Sequence, residues 1–314
     1  MATQRIADQE WRPNLFIAGF AKCGTTELCD YLSQHQEIFL PYEKEPHTFW
    51  DLARFPGYFS GDHTGHKMRT RIFSLNDYYE LFSKGKEYRY RVDGSVSYTF
   101  DSKFSQVLKS FSENAKVILL IRNQKHRMAS LYFHSFAYHK ENDFARWVHD
   151  YFIPYMDTSL YYDKIAAYYH EFGDNNLRIV ETNNLSSDDV HRQLFEYLEV
   201  KPIKISITHK NTNLLGPTDS GLYRHLILRL TPIRLATVRY SKRLGLRKQG
   251  VMAASAMSYL FRRSFKGTPN RNKNNNYSEM LKLIPDTVSS ALEEDYRKSI
   301  DFAVQKRILI SPTC

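Results

Sequence analysis

The sequence predicts an α/β fold: a central, mainly parallel sheet of five strands covered by helices, with a helical elaboration at the C-terminal end. Three observations predict it. Short apolar runs of β type alternate with helix-period segments between residues 14 and 200, the pattern of strands joined by crossover helices. The clearest runs, Asn14–Gly19 and Lys116–Ile121, are nearly continuous in apolar residues, as strands covered on both faces must be. The 314-residue chain is 42% hydrophobic and 25% charged, which excludes a disordered tail, a collagen-like fibre and a disulfide scaffold.

The elements follow in order. Asn14–Gly19 reads as a buried strand ending in glycine, and Thr25–His35 as a helix with Leu28, Tyr31 and Leu32 on one side. Ile38–Leu40 is a second short strand, stopped by Pro41, and Tyr88–Asp93 alternates as a third. Lys116–Ile121 is the fourth. Tyr161–Phe172 reads as a helix, Leu177–Glu181 as the fifth strand, and His191–Leu198 as a helix ending before Pro202. Residues 267–276 are polar and asparagine-rich, a loop signal. Pro285–Gln305 is amphipathic, with Leu292, Tyr296 and Ile300 at helical spacing on one face. With no internal repeat and no Pro- or Ser-rich linker, the expectation is a single domain over residues 1–314. Residues 14–200 form its α/β core and residues 221–314 a basic helical part.

The formal net charge is +10, from 44 Lys+Arg against 34 Asp+Glu. The stretch from Arg224 to Lys266 is rich in Leu, Ile and Arg and contains no Asp or Glu. It reads in three ways: an attractor for an acidic acceptor, a surface that lies on an anionic membrane, or a helical cover with a solvated basic face. No nucleic-acid module accompanies it, so nucleic acid is not expected as a partner. The three Cys do not make a disulfide framework, and neither CxxC nor a Cys/His ligand pattern occurs. The pairs His63/His66 and His134/His139 lack the spacing and partners of a zinc site, and no metal is expected. The first ten residues hold no apolar segment of a secretory signal, and no apolar run approaches the ~20 residues of a spanning helix. The expected location is cytoplasmic, with peripheral membrane contact as the second reading of the basic stretch.

The most informative segment is Gly19-Phe-Ala-Lys22-Cys23-Gly24-Thr25-Thr26, between a buried strand and a helix. Backbone N–H groups at a helix start point into such a turn, and the helix dipole favours an anion there. Gly24 permits close backbone approach, Thr25 and Thr26 add hydroxyls, and Lys22 adds a full charge. An ordinary strand-to-helix turn is the alternative. Lys22 precedes the glycine, whereas a Walker A loop has Gly-Lys-Ser/Thr with the hydroxyl on Mg²⁺. The segment therefore suits a phosphorylated nucleotide whose chemistry needs no metal. Cys23 reads either as packing or as a thiol activated at a helix start.

These residues resemble the 5′-phosphosulfate loop of sulfotransferases that use 3′-phosphoadenosine 5′-phosphosulfate (PAPS). Lys116-Val-Ile-Leu-Leu-Ile-Arg122, followed eight residues later by Ser130, resembles the family's 3′-phosphate motif. Lys44-Glu45-Pro46-His47-Thr48-Phe49 resembles the Lys-Glu-x-His-Phe-Phe segment of heparan-sulfate-type and many bacterial members. Tyr161 through Val200 resembles the family's later helix–strand–helix unit. The resemblance covers most of residues 14–200 and implies a P-loop-like, three-layer fold.

It also implies roles. Lys22, Cys23, Gly24, Thr25 and Thr26 would hold the 5′ end of PAPS, and Arg122 and Ser130 the 3′-phosphate. Lys266-Gly267 would close over the 3′-phosphate. Lys22 would stabilise the leaving phosphate. Glu45 occupies the position of the general base, with His47 as its assistant or as the base itself. Lys44, Glu45, His47 and Ser95 would face the acceptor, a hydroxyl or amine of a glycan, lipid head group or natural product. Two departures stand out. Asp93-Gly94-Ser95-Val96-Ser97-Tyr98 has Gly94 where the glycan branch has a sulfate-contacting lysine, and Gln124 replaces a proline. Tyr58, Phe59, Tyr132, Phe133, Phe136 and Tyr138 are either acceptor-pocket walls or core. The alternatives are a P-loop kinase or other nucleotide phosphotransferase, and a non-catalytic nucleotide- or glycan-binding relative.

Overall fold

The structure, a computed structural model, describes residues 11–50, 75–139, 141, 143–205 and 273–312. Six strands form one sheet: β1 (Leu15–Gly19), β2 (Ile38–Phe39), β3 (Tyr90–Asp93), β4 (Lys116–Ile121), β5 (Leu177–Glu181) and β6 (Leu309–Ile310). Their order is β2-β3-β1-β4-β5-β6. All pairings are parallel. Five of these strands fall where the sequence predicts them. The sixth corrects the expected count. Its two residues pair Leu309 with Ile179 and Ile310 with Val180, and a run so short leaves no periodic signal.

β1 and β4 are apolar because both their faces are covered. Leu15 to Ala18 and Val117 to Ile121 are fully buried. At about 1.5–3 kcal/mol for each fully buried large aliphatic side chain, these two strands carry much of the hydrophobic driving force. They also mark the point where the chain changes direction. After β1 it crosses to β2 and β3 on one side, and after β4 to β5 and β6 on the other. The crevice at the carboxyl ends of such a strand pair is where open α/β sheets bind ligands.

Helix α1 (Thr25–Leu32) follows β1 and stops short of the expected His35. Its end tightens into i→i+3 bonds, Gln34 N–H to Tyr31 O and His35 N–H to Leu32 O. Next come α2 (Leu75–Phe82), α3 (Phe104–Phe111), α4 (Gln124–His139), α5 (Phe144–Trp147), α6 (Tyr162–Asn176) and α7 (Asp188–Tyr197). In α6 the helical path breaks at Gly173, φ +64°, so regular helix ends at Phe172 as the sequence predicts.

The C-terminal helices are α8 (Lys273–Lys282) and α9 (Asp286–Gln305). The loop expected over residues 267–276 is corrected in its second half, since α8 begins at Lys273; the first half lies outside the described residues. Asparagine is a poor helix former, but Met280 and Leu281 pack on an apolar cluster of Met128, Tyr132, Trp147 and Leu292, and tertiary packing overrides the weak propensity. On α9, Leu292 is buried, and Tyr296 and Ile300 pack on the main core. The basic stretch 221–266 and residues Tyr58, Phe59, His63 and His66 lie outside the described residues, as do the side chains of Phe136, Tyr138 and His139. Tyr132 is core, and Phe133 packs beside it. No helix among the described residues is long and apolar enough to cross a membrane.

Candidate active site

The loop between β1 and α1 is held by β4, by α4 and by residues flanking α6 and β5. Phe20 N–H donates to Leu120 O of β4 at 2.8 Å. The Arg127 Nε–H on α4 donates to Ala21 O at 2.8 Å. The Thr182 hydroxyl lies 2.8 Å from Cys23 O and 3.0 Å from Ile121 O, tying the loop to the end of β4. Tyr161 OH donates to Arg122 O at 2.9 Å and lies 3.5 Å from Cys23 Sγ. With these contacts below, the loop turns through two left-handed residues, Lys22 at φ +67° and Gly24 at φ +86°. Gly24 is the N-cap of α1 and has no side chain to occupy the donors of the first turn. A Cβ there would also lie 2.7 Å from Leu185 Cδ1. The opening of α1 therefore presents uncapped backbone N–H groups beside the Thr25 and Thr26 hydroxyls, a cradle whose polarity favours an anion.

Cys23 is packing. It is fully buried, and burial pushes its thiol pKa up against the opposing charges of Arg127, Arg122 and Lys22. Those three cations also place a positive field around the loop. Arg122 lies half-buried at the end of β4. Lys125 and His126 follow it on α4. Burial, then the charges of Arg122 and Lys125, lower the His126 pKa, while the Lys125 ammonium pairs with Glu293 of α9 and lies 3.0 Å from the Ser289 hydroxyl. Ser130 is buried two turns into the same helix. Gln124, where a proline was expected, ties the start of α4 to Ser159 O at 3.0 Å and to Asp295 of α9 at 2.7 Å. Lys266 and Gly267 lie outside the described residues.

On the other side of the cradle the structure brings together Lys44, Glu45, His47 and Ser95. Lys44 Nζ sits 2.6 Å from Glu45 Oε1, 3.2 Å from the Thr26 hydroxyl and 3.5 Å from that of Thr25. The second oxygen of Glu45 lies 3.2 Å from His47 Nε2. His47 Nδ1 lies 2.7 Å from Ser97 Oγ. Burial raises the Glu45 pKa, but the hydrogen bond from His47 and the charges of Lys44 and His47 outweigh it and hold the carboxyl at about 2. An ionised carboxylate only accepts hydrogen bonds, so His47 carries a proton on Nε2; Nδ1 accepts from the Ser97 hydroxyl in the neutral ring and donates to it in the charged one.

The backbone of His47 is left-handed, φ +51°, a conformation that costs a non-glycine residue roughly 1–2 kcal/mol. It is held there because His47 N–H donates to Ser95 Oγ at 2.9 Å, while the Ser95 hydroxyl donates to Asp93 Oδ1 at 2.5 Å. Asp93 is fully buried and also accepts from Tyr78 OH at 2.6 Å and Tyr98 OH at 2.9 Å. Ser95 therefore orients the site from behind. Gly94, the departure from the lysine pattern, has a packing reason. Its N–H donates to Lys44 O at 3.0 Å, and a Cβ would lie 2.9 Å from Cys29 Sγ and 3.2 Å from both Lys44 Cγ and Lys44 O. The Lys44 segment occupies the space a side chain at 94 would need.

Sequence reasoning missed Ser97, Arg127, Thr182 and Tyr161 as builders of the site. Ser97 stood inside the quoted Asp93–Tyr98 segment and Arg127 between Arg122 and Ser130, so a second hydroxyl two residues after Ser95 and a second arginine after Arg122 were the available signals. Thr182 and Tyr161 act through tertiary contact alone. Among the described residues, no group of three or more His, Cys, Asp or Glu is arranged to hold a metal ion.

The sulfotransferase domain model matches residues 12–209. A crystal structure of a sulfotransferase from Alicyclobacillus acidocaldarius is similar at 26% identity and a TM-score of 0.52, over 70% of this chain and 92% of that one. The sulfotransferase domain of the curacin biosynthetic pathway aligns at 14% identity and a TM-score of 0.39, over 68% of this chain and 82% of its own. That of the Synechococcus PCC 7002 olefin synthase aligns at 18% and 0.36, over 68% and 80%. No curated protein matches. With the family model spanning more than half of the chain, over the same residues that build the cradle and the Glu45–His47 pair, the chain belongs to the sulfotransferase-domain family.

Proposed function

We propose that the chain transfers a sulfuryl group from PAPS to the hydroxyl, or amine, of an acceptor, with Glu45 as general base. Carbohydrates and glycolipids head the acceptor classes. The observation that carries this reading is the placement of an oriented carboxylate beside an anion cradle: Lys44 touches both Glu45 and the Thr26 hydroxyl of α1. PAPS fits the residues present. The cradle suits its 5′ end, and Arg122 at the end of β4 with Ser130 of α4 suits its 3′-phosphate. Kinase chemistry fits less well, because Lys22 precedes Gly24 and the loop lacks the Gly-Lys-Ser/Thr seat for Mg²⁺.

In the reaction, the acceptor oxygen forms a bond to sulfur, and its proton passes to Glu45. The bond from sulfur to the bridging phosphate oxygen breaks, and its electron pair stays on that oxygen. Lys22 and the N–H groups of the α1 opening stabilise the charge that develops there. His47 donates through Nε2–H to Glu45 and keeps the carboxylate aimed; Ser97 orients the ring. The expected setting is cytoplasmic, with the basic stretch available to an acidic acceptor or an anionic surface.

The test is transfer of ³⁵S from labelled PAPS to a panel of glycans and glycolipids, with chelator present. The expected result is labelled product, lost in Lys22→Ala and reduced at least about 100-fold in Glu45→Gln. Labelled product that persists in Glu45→Gln and vanishes in His47→Ala would move the base to His47. Release of ADP from Mg²⁺-ATP, with no ³⁵S transfer to any acceptor, would replace the reading with phosphoryl transfer.

A further inference from the structure

Lys44 stands between two anion sites. Its Nζ lies 2.6 Å from Glu45 Oε1 on one side and 3.2 and 3.5 Å from the Thr26 and Thr25 hydroxyls of the cradle on the other. Its backbone is anchored by the bond from Gly94 N–H to Lys44 O at 3.0 Å, and its ammonium reaches both partners from that one position. We infer that Lys44 is a donor-operated switch: it neutralises Glu45 while the cradle is free, and turns to the donor's 5′-phosphate when the nucleotide binds, releasing Glu45 to act as base. This inference rests on the PAPS reading of the cradle.

Three observations support it. First, Glu45 paired as it is in the structure is held at about 2, chiefly by the His47 hydrogen bond and the Lys44 charge once burial is overcome. A base so weak is poorly matched to abstracting a hydroxyl proton near neutral pH. Removing the Lys44 charge removes one of those two influences. Second, the cradle's hydroxyls already hold the ammonium, so an anion seated there meets Lys44 without a large movement. Third, the groups other than Glu45 that act on the Lys44 charge, Cys29 and Asp30 of α1, are neutral or acidic, and His47 lies against Glu45 and Ser97. The consequence is order: donor first, then an active base, so that Glu45 is not presented to the acceptor until a sulfuryl group is there to receive the attack.

The competition is measurable without turnover. Binding of 3′-phosphoadenosine 5′-phosphate, the product nucleotide, is titrated calorimetrically into the full chain and its Glu45→Gln, Lys44→Met and doubly substituted forms, with thermal unfolding of each as the folding control. The amide of Glu45→Gln still accepts from His47 but no longer competes for Lys44. The switch predicts that Glu45→Gln tightens nucleotide binding about five- to tenfold, and that this gain falls below about twofold in the Lys44→Met background. An equal gain in both backgrounds would mean simple repulsion between Glu45 and the nucleotide and would overturn the switch. So would an unchanged affinity in Glu45→Gln. Lys44→Arg, which keeps the charge, should bind the nucleotide within about threefold of the parent; a loss as large as that of Lys44→Met would make the lysine a packing residue. Absence of nucleotide binding by the parent chain itself would refute the PAPS reading, a result distinct from a failure of the cycle.

Discussion

Gly94→Ala isolates the packing that places Lys44 and Glu45. The new Cβ would lie 2.9 Å from Cys29 Sγ and 3.2 Å from Lys44 Cγ and Lys44 O. Gly94 is not at positive φ, so the effect is steric, not conformational. Ordinary carbon contacts begin near 3.5 Å, so the Lys44 backbone must withdraw by a few tenths of an ångström or the 3.0 Å bond from Gly94 N–H must lengthen. Overpacking of this kind costs about 1–3 kcal/mol. The same shift is passed to the next residue, Glu45, whose contact with His47 is already 3.2 Å. Misplacement of a reacting group by a fraction of an ångström to 1 Å costs up to about 100-fold in rate, so a fall in kcat of roughly tenfold is expected. The assays are urea unfolding and initial rates. Cys29→Ala, which removes the nearest atom, should recover part of the stability when combined with Gly94→Ala. A Gly94→Ala protein within about 0.5 kcal/mol of the parent and with full turnover would refute the reasoning.

Arg127→Met should destabilise the fold by about 1–3 kcal/mol, because it leaves Ala21 O without its buried donor; nucleotide affinity should fall with it, both read by denaturation and calorimetry. Ser97→Ala removes the hydrogen-bond partner of His47 Nδ1. It should lower kcat by about tenfold while the KM for the donor stays within about twofold, and an equal effect on both would deny Ser97 its orienting role. Glu45 supplies a pH dependence. Its carboxyl is held at about 2 against an ordinary 4.5, so on acidification the unfolded chain takes up the proton first. The stability from this pairing is complete above about pH 4.5 and is lost as the pH falls towards 2. Glu45→Gln should lack that part of the acid slope in an unfolding series.

The sheet was legible because its strands are nearly pure apolar runs. β1 and β4 fell within a residue of their predicted bounds, since burial on both faces leaves no polar position to confuse the reading. β6 was not legible, because two residues at the end of the chain carry no period and owe their state to pairing with β5. In the site, Lys22, Gly24, Glu45 and His47 were readable because their chemistry and spacing sit in short motifs. Their supports were not. Thr182 and Tyr161 reach the cradle across more than 130 residues of chain, and no local pattern marks a hydroxyl that will cap a distant carbonyl. Gly94 illustrates the difference. The sequence registered a missing lysine, whereas the structure supplies the reason, a backbone that must pass within hydrogen-bonding distance of Lys44.

The proposed function requires that the cradle and Arg122 at the end of β4 bind a 3′,5′-bisphosphorylated nucleotide without metal. It is tested most directly by thermal unfolding with 3′-phosphoadenosine 5′-phosphate in chelator, beside Mg²⁺-ATP, for the parent chain and Arg122→Ala. A ligand at about 100 times its Kd adds about 2.7 kcal/mol to the native state. Stabilisation of that order by the bisphosphate in chelator is expected, and its loss in Arg122→Ala. Stabilisation only by Mg²⁺-ATP, or one by the bisphosphate that survives in Arg122→Ala, would contradict that requirement.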